Sequence, residues 1–370
     1  MNKNDKYAKQ FYDFEEDIKE YPDAWVYLVI GGRNTGKTYS VLKKYRKEGK
    51  VFGFIKRTNN DIKTLCAGAK IGKRMTENDA RIDFSPFKSL NRDIGWNVHA
   101  FKIPEVEVGG FWDCNEEGNP HGDPCGYIFS LHAIGDIKGF DVTDIKVLVF
   151  DEFIPKKWER ADRTEGDQLM DLYKTVDRGR EHIGLEPLKL ICLANATTVD
   201  NPVFNTLEVT DTVVDMKAKG IDKLYIEERG IFIHILEMNE EFMEIEQQGM
   251  IYKAMHNTNW GRMAFDNDFG YDDFTAVGNH SIKGMQCYIS IKHKNSTYYI
   301  WSDGQCLVMN NSRGNPQLQY DLNVERDQAR FMDDGMLYEC KSACIQHKMF
   351  FKSYTMYNLI MNYKKIFQIR

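Results

Sequence analysis

No stretch of this 370-residue chain approaches the roughly 20 consecutive apolar residues that a membrane-spanning helix needs. The opening residues, MNKNDKYAKQFYDFEEDIKE, lack both the apolar core of a signal peptide and the acid-poor composition of a transit peptide, so a cytosolic protein without a membrane partner is expected. A disulfide framework is also missing. The eight cysteines are scattered, and several, such as Cys192 in KLICLANA and Cys287 in QCYISI, lie in apolar strand-like runs that suit reduced, buried thiols. No CxxC pair marks a zinc site: Cys114, His121 and Cys125, and separately Cys340, Cys344 and His347, offer three soft ligands each and read equally well as a hairpin tip and a helix face. Repeats and low-complexity tracts are absent. The formal net charge of −6 excludes a chain coated in basic surface. Acid is nevertheless lacking beyond Glu339, where Lys341, Lys348, Lys352, Lys364, Lys365 and Arg370 interleave with Phe350, Phe351, Tyr354, Tyr357 and Phe367. That block suits either salt-dependent, sequence-blind contact with a nucleic-acid backbone or a packed terminal helix with solvated lysines.

What is present has the size and composition of two globular domains, with 42% hydrophobic and 28% charged residues. AWVYLVI (24–30) reads as a buried strand, GKTYSVLKKYRKEG as a helix stopped by Gly49, and VFGFIKR as a second strand. Residues 84–130 read as an irregular β-rich insertion, with Gly109–Gly110 and the cluster at 115–126 as the turns of a hairpin. IKVLVFDEF, the helix GDQLMDLYKTVDRGRE and the strand LKLICLANA follow, and buried strands alternating with helices predict a mainly parallel sheet. Beyond 236 the pattern changes. EEFMEIEQQGMIYKAMHN, with Phe242, Ile245, Gly249, Tyr252 and His256 at helical spacing, predicts one amphipathic helix, followed by the polar FDNDFGYDD. From about 276 alternating strands give way to helices, the last carrying Met356, Ile360, Tyr363 and Phe367 on one face. The expected organisation is therefore α/β throughout: a larger domain at 1–236, a linker at 237–275 and a smaller α/β domain at 276–370.

The chemistry concentrates at two strand ends. Gly31, Gly32, Arg33, Asn34, Thr35, Gly36, Lys37 and Thr38 spell GxxxxGK[ST] between a predicted strand and helix. Backbone amides of such a turn cradle the phosphates of ATP, Lys37 reaches the outer phosphates, and the Thr38 hydroxyl is a ligand for Mg2+. VLVFDE then delivers Asp151 to the end of a buried strand as a second metal carboxylate, with Glu152 beside it as a general base for the attacking water. Asn195 ends ICLANA, where an amide can sense the terminal phosphate or simply close a turn. Arg178 and Arg180 close their helix, where either can reach a neighbouring subunit's nucleotide or merely complement the helix dipole.

VIGGRNTGKTYS, LVFDEFIP, TVDRGR and ICLANATTVDNPVF, in this order, resemble the DNA-packaging (encapsidation) ATPases of phi-29-like small tailed phages, which are terminase-like P-loop motors. The resemblance implies an additional-strand, catalytic-glutamate P-loop NTPase followed by an RNase H-like domain that has lost its nuclease acids. It also implies a homomeric ring, commonly a pentamer, that moves double-stranded DNA through the portal (connector) of a prohead, in some members with a structural RNA. Such a protein acts in the host cytoplasm, transiently at the portal vertex, and is absent from the mature virion. By motif match Lys37, Thr38, Asp151 and Glu152 take the roles given above, Arg178 matches the trans-acting arginine and Asn195 the coupling residue. Lys56 and Arg57 match more loosely a basic pair near the nucleotide or the adjoining subunit. QCYISIKHK contains no acid, and Asp303, Asp327, Asp333 and Asp334 fall on or beyond other elements, so a working nuclease is not expected. A terminase-like enzyme that also cuts DNA and a non-translocating P-loop regulator are the alternatives.

Overall fold

The computed structural model describes residues 11–66, 84–131, 142–156, 159, 161–237, 240–265, 269, 272 and 274–369. Its internal contacts divide them into two compact units, one of residues up to 207 with 216–271, the other of 208–215 with those from 272 onward.

The first unit contains, in chain order, α1 (Phe14–Glu20), β1 (Val26–Ile30), α2 (Lys37–Lys47), β2 (Phe52–Lys56), α3 (Asn59–Cys66), α4 (Phe87–Ile94), β3 (Val98–Lys102), β4 (Gly109–Asp113), β5 (Gly126–Ser130), β6 (Val147–Asp151), α5 (Glu165–Asp177), β7 (Lys189–Ala194) and α6 (Pro202–Thr206). Helix α7 (Thr210–Lys219), whose residues 210–215 fall in the second unit, β8 (Lys223–Ile226) and β9 (Ile231–Ile235) follow. The strands form a nine-stranded sheet in the order β3-β4-β5-β2-β6-β7-β1-β9-β8. Strands β5, β2, β6, β7, β1 and β9 run parallel, and antiparallel pairs finish both edges. Tyr27, Val29, Val147, Val149, Ile191 and Leu193 pack in one core with Phe14, Val41, Leu42, Ile62 and Leu90 from the helices. Their alternates Val26, Leu28, Leu148, Phe150, Leu190 and Cys192 point the other way and are fully buried too. Both faces are therefore covered, which is why these strands are written as unbroken apolar runs.

Two local expectations are corrected. Residues 84–130 open with a helix, α4, and Gly109–Gly110 lie inside β4, paired to β3 and β5, instead of in a turn. A Cβ on Gly110 would sit 2.7 Å from the Trp112 ring, so glycine here answers to a close packing contact. The single amphipathic helix expected after 236 is two, α8 (Glu240–Gln248) and α9 (Met250–Met255), broken where Gly249 turns extended at ψ 143°. They lead to α10 (Asn259–Phe265). Phe242's side chain and residues 266–268, 270, 271 and 273 of the expected connector lie outside the described residues, as does Arg370.

The second unit is a five-stranded sheet, β13-β10-β11-β12-β14, from β10 (Gln286–His293), β11 (Ser296–Ser302), β12 (Leu307–Asn310), β13 (Leu318–Asp321) and β14 (Met349–Phe351). An antiparallel meander of β10, β11 and β12 gains one parallel strand on each side. Helices α11 (Glu325–Asp333), α12 (Met336–Ile345), α13 (Tyr354–Met361) and α14 (Tyr363–Ile366) complete it. Phe351, Met356, Ile360 and Tyr363 belong to its core, with Tyr357 and Phe367 packed against it. Lys348, Lys352, Lys364 and Lys365 are exposed. Asp211 of α7 belongs to this unit and accepts the Thr355 N–H at 2.9 Å, satisfying a donor in the first turn of α13.

Helix α1 is fixed by a buried polar cluster. Asp13 caps it, with Glu16 three residues on, a D-x-x-E signal of a helix start. Asp17, 1% exposed, accepts the Tyr12 hydroxyl at 2.6 Å, lies 2.7 Å from His234 Nδ1 on β9 and is 3.3 Å from Lys223 Nζ on β8. Burial raises its pKa, but hydrogen bonds to His234 and Tyr12 and the Lys223 charge outweigh this and hold it below the usual carboxylate value. A depressed folded pKa contributes stability that is complete above the unfolded value of about 3.9 and is lost as pH falls through the folded one. Asp17→Asn is expected to lower stability at pH 7 by about 2 kcal/mol in urea unfolding, with the gap to wild type closing only below about pH 4.

Candidate functional site

Strand register gathers the site. Ile30 of β1 pairs with Ala194 of β7, and Leu193 of β7 pairs with Asp151 of β6, so Gly31, Asn195 and Asp151 leave the sheet at the same edge. Lys56 ends the neighbouring β2 at that edge, where α/β sheets collect ligands.

The phosphate loop turns into α2 at Gly36, whose φ of +85° admits glycine without strain. Helix α2 has no acid in its first turn, so its positive end faces the loop uncompensated. Residues before and at the start of α1 brace the turn and the opening of α2: the Tyr12 N–H donates to the Thr35 carbonyl at 2.9 Å and the Phe14 N–H to Ser40 Oγ at 2.8 Å. Lys37, 9% exposed, donates to the carbonyls of Gly31 (3.1 Å) and Gly32 (2.7 Å) and to Thr35 Oγ1 (3.1 Å). Burial lowers its pKa to about 8 against the opposing pull of Asp151. Asn34, exposed, has a left-handed φ of 62°, and the Arg33 guanidinium lies 5.9 Å from the Trp260 ring of α10.

Asp151 is shared. The Thr38 hydroxyl donates to Oδ1 at 3.0 Å and Lys56 Nζ to Oδ2 at 2.8 Å. Lys56 also lies 3.5 Å from Glu152 Oε2, and Lys156 lies 3.6 Å from Oε1. Burial alone would lower the Lys56 pKa, but the two carboxylates raise it, so it stays a cation. Glu152 is half exposed and holds φ at 59°, an uncommon conformation for a residue with a Cβ and one that gathers at functional sites. Arg57, the next residue after β2, grips Glu159 and Glu165 and donates to the carbonyls of Glu152 and Phe153. Asn195 is half-buried just past β7.

The two arginines after α5 part company. Arg178 is the exposed C-cap, at φ 46°, whereas Arg180 is 1% exposed and donates to the carbonyls of Ile145 (2.6 Å) and Glu186 (3.1 Å). Arg180 thus holds the loop before β6 to that before β7, which corrects its reading as a residue aimed at a neighbour. For the soft-ligand groupings, no cysteine is in a disulfide, and among the described residues no three of His, Cys, Asp and Glu are placed to hold a metal. Sequence reasoning overlooked the brace before α1, for which Asp13 and Glu16 were the available signal. It also overlooked the grip of Arg57, for which there was none.

A phosphate loop and a carboxylate strand separated by one extra parallel strand, with glutamate following the aspartate, define the additional-strand, catalytic-glutamate class of P-loop fold. Within it the chain belongs to the podovirus DNA encapsidation protein (Gp16) family, whose model matches residues 121–349. DNA packaging proteins of Bacillus phages PZA and phi29 are each 22% identical to it over 282 residues, 75% of this chain and 71% of theirs. Two solved structures are similar in fold. The bacteriophage Phi-29 viral genome packaging motor assembly has a TM-score of 0.63 at 18% identity, covering 98% of this chain and 100% of its own. The Phi-28 gp11 DNA packaging motor has 0.55 at 17%, covering 93% and 94%.

A phosphate bound beside Lys37 would keep it charged, so affinity would be highest below the free pKa and would weaken as pH rises through it. Affinity for a fluorescent adenine nucleotide is expected to be level below pH 7 and to fall by about tenfold per unit above about pH 8. Lys37→Arg should flatten that fall.

Proposed function

We propose that this chain is one subunit of a homomeric ring, a pentamer, that hydrolyses ATP to drive double-stranded genomic DNA through the portal into a preformed prohead. The observation that carries the reading is the meeting of Lys37, Thr38, Asp151 and Glu152 at one sheet edge in a member of a DNA encapsidation family. In this reading residues 1–236 form the ATPase domain, 237–275 the linker, and 276–370 an RNase H-like domain that contacts DNA, portal or a structural RNA. The protein works in the host cytoplasm and at the prohead.

The backbone of Gly31–Thr38 and Lys37 hold the phosphates. Thr38 Oγ1 and Asp151 Oδ1, 3.0 Å apart, are hard oxygen donors of the kind Mg2+ takes, and these two residues would hold it. Bound there it would neutralise charge on the outer phosphates. Glu152 orients the attacking water and accepts its proton, Lys56 keeps positive charge between the two acids, and Asn195 senses the terminal phosphate. Arg178 serves a neighbour's nucleotide, a role that its exposure favours over that of Arg180. The C-terminal acids have local partners: Asp303 accepts backbone amides of Gln305 and Cys306, Asp327 that of Asp321, and Asp334 the Tyr320 hydroxyl. These engagements support a mechanical domain over a nuclease. The exposed lysines near the C-terminus supply sequence-blind phosphate contacts.

The decisive assay is ATP-dependent protection of DNA from nuclease in the presence of proheads; hydrolysis indifferent to DNA and proheads would instead favour a regulatory ATPase. Glu152→Gln is expected to bind ATP but lose turnover by about 100-fold or more. Arg178→Ala should lower turnover only in assembled rings, and mixing these two variants should partly restore it; no rescue at any ratio would remove the trans role. Arg180→Ala, by contrast, should destabilise the monomer by about 2–4 kcal/mol in thermal or urea unfolding.

A further inference from the structure

Arg57 has no part in the chemistry just described, yet its position is unusually constrained. Its side chain is 11% exposed, and its Nε lies 3.0 Å from both oxygens of Glu165, a fully buried residue at the start of α5. Nη1 is 3.2 Å from Glu159 Oε2, and Nη2 donates at 3.2 Å to the carbonyls of both Glu152 and Phe153. Glu165 also accepts the Asp162 N–H at 3.1 Å, so it is held from its own loop as well. The backbone that Arg57 grips is the one that leaves the favoured region, at Glu152 φ 59°. A left-handed turn at a residue with a Cβ persists only where its surroundings over-determine it.

We propose that Arg57 is the positioning residue for Glu152: anchored on Glu165, it fixes the left-handed turn and thereby the direction of the Glu152 carboxylate. The proposal rests on the assignment of Glu152 as the base. It also assigns Arg57 a role within its own subunit, away from any neighbour. Only a planar guanidinium meets a carboxylate and two carbonyls at once; a lysine ammonium at this site keeps the charge and loses the fork.

The test uses the full chain, with turnover in prohead-assembled rings and nucleotide affinity measured separately. Arg57→Lys should lower kcat by about 10- to 100-fold while the dissociation constant for a fluorescent ATP analogue stays within about twofold. Removing Arg57 alone leaves Glu165 buried without its cation, so the paired variant Arg57→Gln/Glu165→Gln, which removes both charges, serves as the second probe and should show the same split. In a Glu152→Gln background neither change should reduce the residual turnover further, because a positioning residue has no effect once the group it positions is gone. Unaltered kcat in Arg57→Lys and the paired variant, equal loss of affinity and kcat, or losses that multiply with Glu152→Gln would each overturn the proposal. If Glu152→Gln itself retained turnover, the assignment of the base would fall first and this inference with it. Loss in Glu152→Gln beside normal Arg57 variants would sink this inference alone.

Discussion

The carboxylate of Asp151 is the joint on which this site depends. It accepts from Thr38, which follows the loop after β1, and from Lys56, at the end of β2, so one side chain ties together segments that the sequence holds far apart. Strand β7 stands between β1 and β6, and two strand spacings put roughly 10 Å between the phosphate-loop strand and the carboxylate strand. The loop and first turn of α2 must lean across that gap for the hydroxyl to reach Oδ1. The brace from Tyr12 and Phe14 presses on the same loop and helix, and helix α1 is in turn held by Asp17. The extra strand therefore sets the width of the site, and the segment around α1 helps hold the loop to it.

Charge at the strand ends is arranged as an alternation. Two acids, Asp151 and Glu152, follow one another in the chain; Lys56 lies within ion-pair distance of both, Lys156 of Glu152, and Arg57 donates to the backbone carbonyl of Glu152. Lysines meet the side chains and can be exchanged for other partners, since each is a point charge on a flexible stem. The arginine meets carbonyls and a buried carboxylate that offer no such exchange.

The parts of this molecule that could be read from sequence are those governed by near neighbours. Apolar runs covered on both faces became the parallel strands, GGRNTGKT became the loop that opens α2, and VLVFDE placed Asp151 at a strand end. Where the sequence misled, the fold decided. Gly109–Gly110 looked like a turn because a glycine pair is a common turn signal, whereas pairing with β3 and β5 makes it part of a strand on which the Trp112 ring packs over Gly110. The helix after 236 looked continuous because the apolar spacing carries across Gly249, while the backbone there does not. Arg180 looked like Arg178 because their surroundings in the chain are alike, and only the fold buries one under the Ile145 carbonyl. Arg57 and Glu165 stand 108 positions apart, a pairing that no pattern within either segment announces.

The clustering of the chemistry at the strand ends bears on how such a chain can change over time. Strands buried on both faces demand apolar bulk and accept many residues that supply it, because volume-conserving exchanges in a core are tolerated best. Identity is demanded where a backbone must bend as Gly36 does or where a particular group must sit at an edge, as Thr38, Asp151, Lys56 and Arg57 do. Drift is then filtered by burial over most of the length and by chemistry at a few places. Two such proteins can exchange most of their letters and keep the same machine, and those few edge positions are where their kinship should be sought.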